Sequence, residues 1–124
     1  MKPISEELRN RLKTEDPSPE LVLELLKETS PDEYCTRHWC EGEFDNPDKC
    51  CILGRIGYEV SRDPVYSLKA EHYRSMARSY KCSLSSINDG TSPKYQQATP
   101  YERVKAAMED LIKLKQDENT EKSN

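Results

Sequence analysis

Four of the five cysteines, Cys35, Cys40, Cys50 and Cys51, fall within seventeen residues, together with His38 and the only tryptophan, Trp39. The run Cys35-x-x-His38-x-Cys40, followed by Cys50, supplies thiol and imidazole ligands of the kind that hold zinc tetrahedrally. Zinc sites usually present two clean pairs, whereas the side chains of adjacent Cys50 and Cys51 diverge. Cys35 and Cys51 also read as small buried core residues, a common place for a free thiol. The second chemistry is a reactive thiolate. Cys51 stands where a helix is expected to begin, and a helix N-terminus lowers a thiol pKa. Cysteine catalysis would also need a histidine base held by a third group. His38 and His72 are the two histidines; His38 is the better partner, and no catalytic residue is assigned.

A third chemistry is anion binding. Arg74, Arg78 and Lys81 lie at i, i+4 and i+7 and share one helical face. A guanidinium fork bonds two phosphate oxygens at once. Ser83, Ser85, Ser86 and Asn88 could add donors, and Lys94 a further charge. Glu71 is placed to neutralise part of the strip. The bland alternative is a solvated face in a charge-rich chain. Seven tyrosines against one Phe and one Trp suit a partner surface. Tyr95 and Tyr101 are the expected exposed pair; Tyr58, Tyr66, Tyr73 and Tyr80 could equally wall a small core. No phosphate-binding glycine loop, dinucleotide fingerprint, H-E-x-x-H or EF-hand pattern is present.

The elements that must position these residues read as short helices. Ile4, Leu8 and Leu12 recur every four residues. Ser18 and Pro19 open a second helix whose apolar face is Leu21, Val22, Leu25 and Leu26. Ser30 and Glu33 form a capping-box pattern that predicts a helix to about Cys40, with Cys35, His38 and Trp39 on one face and Gly42 as its stop. Glu43 to Lys49 reads as a polar loop. Cys51 to Ser61 is the most apolar stretch. Gly54 and Gly57 each weaken it as a helix by ~1 kcal/mol, a loss usually tied to close approach of a neighbouring backbone, so this helix belongs at the centre. A helix after Asp63-Pro64 is expected to turn Val65, Leu68, His72, Met76 and Tyr80 inward. Ser83 to Thr99 reads as irregular. Thr99 to Glu102 caps a last helix with Val104, Ala107, Met108, Leu111 and Ile112 on one face.

Strand-like alternation is absent, so the expected class is all-α: one compact domain of five to six helices over residues 1–114, with a polar, disordered tail at 115–124. With 34% hydrophobic and 34% charged residues, against about 45–50% and about 25% in ordinary domains, the core is thin. The net charge of −4 argues against a DNA-binding protein. That charge is uneven: residues 1–62 carry 9 basic and 14 acidic groups, residues 63–124 carry 10 and 9. No apolar run approaches the ~18–20 residues of a membrane span. An odd cysteine count without a secretory leader points to the cytoplasm.

Three pieces in order carry a resemblance: Trp39-Cys40-Glu41-Gly42, Cys51-Ile52-Leu53-Gly54-Arg55-Ile56, and Ile87-Asn88-Asp89 before a final helix. Over about residues 20 to 112 the chain resembles an uncharacterised family of small bacterial and phage proteins with the pattern W-x-x-G, C-x-L-G-A-[IL], N-D. Arg55 stands where that pattern has Ala. The resemblance implies one structural centre of Trp39, Gly42, Cys51, Gly54, Asn88 and Asp89, with Cys51 a packed thiol. The residue types agree: Trp39 offers the largest apolar area, and Asn88 and Asp89 can cap a turn through their side-chain oxygens. It assigns no activity. The expected function is therefore a non-enzymatic cytoplasmic binding protein, phage-encoded, acting against host defence by binding a host protein or sequestering a nucleotide-type ligand. The rival is a zinc-binding or cysteine-dependent enzyme built on Cys35, His38, Cys40, Cys50 and Cys51.

Overall fold

Side-chain oxygens set the helix starts. In the computed structural model, which describes residues 1–123, Ser5 Oγ accepts from Leu8 N at the start of α1 (Glu6–Thr14), and Ser18 Oγ accepts from Leu21 N at the start of α2 (Pro19–Lys27). Each bond satisfies an orphan N–H of the first turn. Leu8 and Leu12 of α1 and Leu21, Val22, Leu25 and Leu26 of α2 are buried, the faces their spacing predicts.

The all-α expectation is overturned by a two-stranded antiparallel hairpin, β1 (Cys40–Glu43) and β2 (Asn46–Cys50). The helix expected from Ser30 to Cys40 stops after one 3-10 turn, Pro31–Glu33. The backbone beyond it bonds elsewhere. Cys35 N donates to Cys50 O at 3.0 Å, and Asn88 Nδ2 donates to Cys35 O at 2.9 Å. These tertiary partners replace the helical ones, so Cys35, His38 and Trp39 do not share a helix face. Gly42 ends no helix. It lies in β1 at a register shift, with φ +91°, and an added Cβ would come within 2.7 Å of Asp48 Oδ2. Both strands are polar and largely exposed, which is why no apolar alternation announces them.

The central element is α3 (Ile52–Ser61), which packs against α1, α4 (Leu68–Arg78), α5 (Leu84–Asp89) and β2. Its glycines are required by contact. A Cβ on Gly54 would lie 2.1 Å from the Trp39 carbonyl oxygen, and one on Gly57 would lie 2.6 Å from that of Asp63. Arg55 and Glu59 of this helix are also buried.

Several expectations about the second half also change. Asp63 Oδ1 accepts from Val65 N and Tyr66 N, closing a turn, and α4 begins only after Ser67. Its buried face is Ala70, Tyr73 and Ala77; Leu68 is 72% exposed and His72 points to solvent. The stretch read as irregular contains α5, six residues long and too short for a periodic signal. The last helix, α6 (Pro100–Ser123), runs past Lys115, whose Nζ bonds Glu20 Oε1 of α2 at 2.9 Å. It closes the core with Val104, Ala107, Met108 and Leu111 against α2 and α5. Tyr95 and Tyr101 are inward: their hydroxyls donate to Asp110 Oδ2 and to Leu26 O. Tyr66, at 86%, is the tyrosine most exposed. No helix among the described residues is long and apolar enough to cross a membrane.

Candidate functional site

The site is built around Asn88, a buried amide whose two ends are both committed. Its Oδ1 accepts from Ile52 N at 2.9 Å, at the first turn of α3. Its Nδ2 donates to Cys35 O at 2.9 Å and to Asp89 Oδ1 at 3.1 Å. The same Asp89 oxygen accepts from Arg37 N at 2.9 Å. Arg37 thereby stands at φ 67°, a left-handed conformation costing ~1–2 kcal/mol for a residue with a Cβ. From behind, Arg103 donates to the carbonyls of Ile87 and Asn88 at 3.0 and 2.7 Å. Two helices and the segment before the hairpin are thus tied through one pair of adjacent side chains.

Around this knot lies a cavity of about 150 Å³ walled by Trp39, Cys51, Ser85 and Asp89, with Arg37 and His38 exposed at it. The Trp39 main chain is fixed because Cys51 N donates to its carbonyl at 3.2 Å and Gly54 leaves room for it. Outside the cavity the Arg74 guanidinium covers the Trp39 ring at 5.5 Å and pairs with Glu71 at 3.6 Å. The cavity therefore offers an aromatic wall, a carboxylate, hydroxyl and thiol groups, an exposed guanidinium and an exposed imidazole.

Of the residues implied to form one centre, Trp39, Cys51, Gly54, Asn88 and Asp89 meet here, while Gly42 sits apart in the hairpin. Of the anion set Arg74, Arg78, Lys81 and Asn88, only Asn88 lines this cavity. Arg74 is engaged with Trp39 and Glu71, Arg78 and Lys81 are exposed, and the Asn88 amide is spent inside the fold. The zinc residues lie near one another but do not converge on one point. Cys40 and Cys50 face each other across the hairpin, the Cys35 thiol turns to the His38 carbonyl at 3.5 Å, and His38 is at the surface. Among the described residues no three His, Cys, Asp or Glu side chains are grouped to hold a metal ion.

The thiols are held protonated. Burial pushes Cys50 up to about 12, and the neighbouring Cys40 adds to the effect. Burial, then the Glu41 charge, pushes Cys35 up to about 12. Cys51 caps α3, its Sγ accepting from Gly54 N at 3.2 Å. There the helix start works as expected, since the N–H groups of Gly54 and Leu53 favour the thiolate, but burial outweighs them and raises the pKa. Arg37, which carried no signal in the sequence, enters the site only through its bond to Asp89. Compared with protein-family models, with curated proteins and with solved structures, the chain matches none.

Proposed function

We propose that this chain is a small binding protein that takes up a nucleotide-type ligand in the Trp39 cavity. The observation that carries the reading is one indole wall sharing a cavity with the Asp89 carboxylate and with exposed Arg37 and His38. An indole can stack on a nucleobase, worth ~1–3 kcal/mol per base. The Asp89 carboxylate uses only Oδ1 for Arg37 and Asn88, so it can accept from an exocyclic amine. Arg37 suits a phosphate. On this reading a phage-encoded copy would act on host defence by sequestering a nucleotide-type signal.

Trp39 is the only tryptophan, so its emission reports occupancy directly. Titration with the four nucleoside monophosphates should give saturable quenching with at least one of them. Arg37→Ala and Asp89→Asn should each weaken it about tenfold, the size of one charge-assisted hydrogen bond. Asp89→Asn keeps an acceptor for Arg37 N and so spares the fold. The reading fails if no monophosphate gives a saturable change and native mass spectrometry of protein from cells shows a bare mass. A mass excess of one zinc ion would shift the account to the cysteines.

A cysteine-dependent enzyme is the second reading, favoured by the presence of His38 and Cys51 at the same cavity. It requires rapid alkylation of a single thiol at neutral pH. The raised Cys51 pKa supports slow alkylation instead.

A further inference from the structure

Five buried side-chain nitrogen or oxygen atoms lack a hydrogen-bond partner among the described residues, and three of them, Arg9 Nε, Arg55 Nε and Glu59 Oε2, belong to residues around one cavity. It is a second cavity, of about 250 Å³, and shares no lining residue with the first. Arg55 and Glu59 stand one turn apart on α3 and are 0% and 2% exposed. Arg62, at the end of that helix, lies over the Tyr58 ring at 4.9 Å.

Existing bonds use part of each group. Arg55 gives Nη2 to Lys2 O at 2.9 Å and Nη1 to Met1 Sδ at 3.1 Å and Glu33 Oε1 at 3.4 Å. Arg9 gives Nη1 to Glu6. The Glu59 carboxylate is flanked by Arg9 Nη2 at 3.8 Å and Arg62 Nη1 at 3.6 Å, both beyond hydrogen-bond length. A carboxylate this deeply buried normally accepts several short bonds. The residues around the cavity therefore carry two unused N–H donors, three guanidinium charges and one unused carboxylate oxygen. Its volume is several times the ~30 Å³ share of one water.

We propose that this cavity is a binding site for a tetrahedral oxyanion that retains a proton, hydrogen phosphate. Its oxygens accept from Arg9 Nε, Arg55 Nε and the Arg62 guanidinium, and its own O–H donates to Glu59 Oε2. The carboxylate makes the site selective. Sulfate has the same shape and charge but no proton at neutral pH, so it would set an oxygen lone pair against Glu59 with nothing to share.

The test is calorimetric titration of the full chain with sodium phosphate and, separately, sodium sulfate at constant ionic strength. Phosphate should bind one to one and at least about tenfold more tightly than sulfate, as expected for a buried acceptor left unpaired. Glu59→Gln keeps one acceptor for phosphate but adds an NH2 donor that can turn to sulfate, and should narrow the preference. Arg62→Gly removes one guanidinium at a position with φ 57°, where glycine is at ease. It should weaken phosphate about tenfold while far-UV circular dichroism is unchanged. No phosphate heat in the wild-type protein overturns the proposal, since waters alone would then fill the cavity. Equal binding of both anions, or binding indifferent to Arg62→Gly, overturns it as well. The Trp39→Phe variant should bind phosphate normally, so failure of the nucleotide reading leaves this one standing.

Discussion

Replacing Asn88 by Leu removes three hydrogen bonds from the interior and leaves Ile52 N–H and Cys35 C=O without their partners. Each orphaned buried group costs ~1–3 kcal/mol, so urea denaturation should show a loss of about 3 kcal/mol or more. Asn88→Asp keeps the acceptor for Ile52 N but turns a carboxylate oxygen to Cys35 O and Asp89 Oδ1, so it should be no milder than Asn88→Leu at neutral pH. Gly54→Ala sets two effects against each other. Alanine is the better helix former by ~1 kcal/mol, but its methyl would meet the Trp39 carbonyl at 2.1 Å, and forced overpacking costs ~1–3 kcal/mol. Because the obstacle is main chain, the clash should win. The variant should melt lower than the wild type, and its Trp39 emission should shift. The close approach at Gly54 was legible from two glycines in an apolar run. Buried Arg55 and Glu59 were not, since charged residues one turn apart on a helix ordinarily mark its wet face.

At the scale of elements, legibility followed local signal. α1, α2, α3 and α6 each carry an apolar face at helical spacing, and the starts of the last three stand in the sequence as Ser18, Cys51 and Thr99. The hairpin carries neither. Cys-Glu-Gly-Glu and Asn-Pro-Asp-Lys-Cys hold no β-branched residue, and what pins them is Gly42, whose φ of +91° excludes most side chains. Gly42→Ala should therefore loosen the hairpin specifically. Hydrogen exchange should rise at Cys50 and its β1 partner Cys40 while α2 and α6 keep their protection. Faster exchange everywhere would mean the hairpin is not a separable unit. The α4 face was misread because its inward residues are small: Ala70 and Ala77 flank Tyr73, while the larger Leu68 lies outside. The grouping at the Trp39 cavity came from a resemblance, and Arg37 was beyond reach because a residue 52 positions away sets its backbone.

For the molecule as a whole, buried ionisable groups define a pH window. The Cys35 and Cys50 thiols titrate near 12 in the folded chain against about 8.5 when unfolded. Their contribution to stability is complete below about pH 8.5 and is lost as pH rises towards 12. Tyr34 and Tyr73, raised chiefly by burial, act in the same direction at higher pH. On the acid side, burial alone would raise Glu33, but the N–H groups of Ser30 and Lys2 and the Arg55 charge outweigh it and hold the carboxyl low. Stability from that group is complete above about pH 4.3 and is lost as pH falls. The urea midpoint should be flat from about pH 5 to 8 and fall on both sides; a midpoint unchanged to pH 11 would contradict the burial of the thiols.

The seating of α6 on α2 also governs the order in which the chain can be made. Leu21, Val22, Leu25 and Leu26 leave the ribosome well before the helix that covers them, which starts at Pro100. Until that helix emerges, the broadest apolar face of the first half has no lid, and a nascent chain in that condition is a substrate for chaperones or for association with its neighbours. Synthesis and folding are thus separated in time, and the final helix acts as the latch that ends the vulnerable interval.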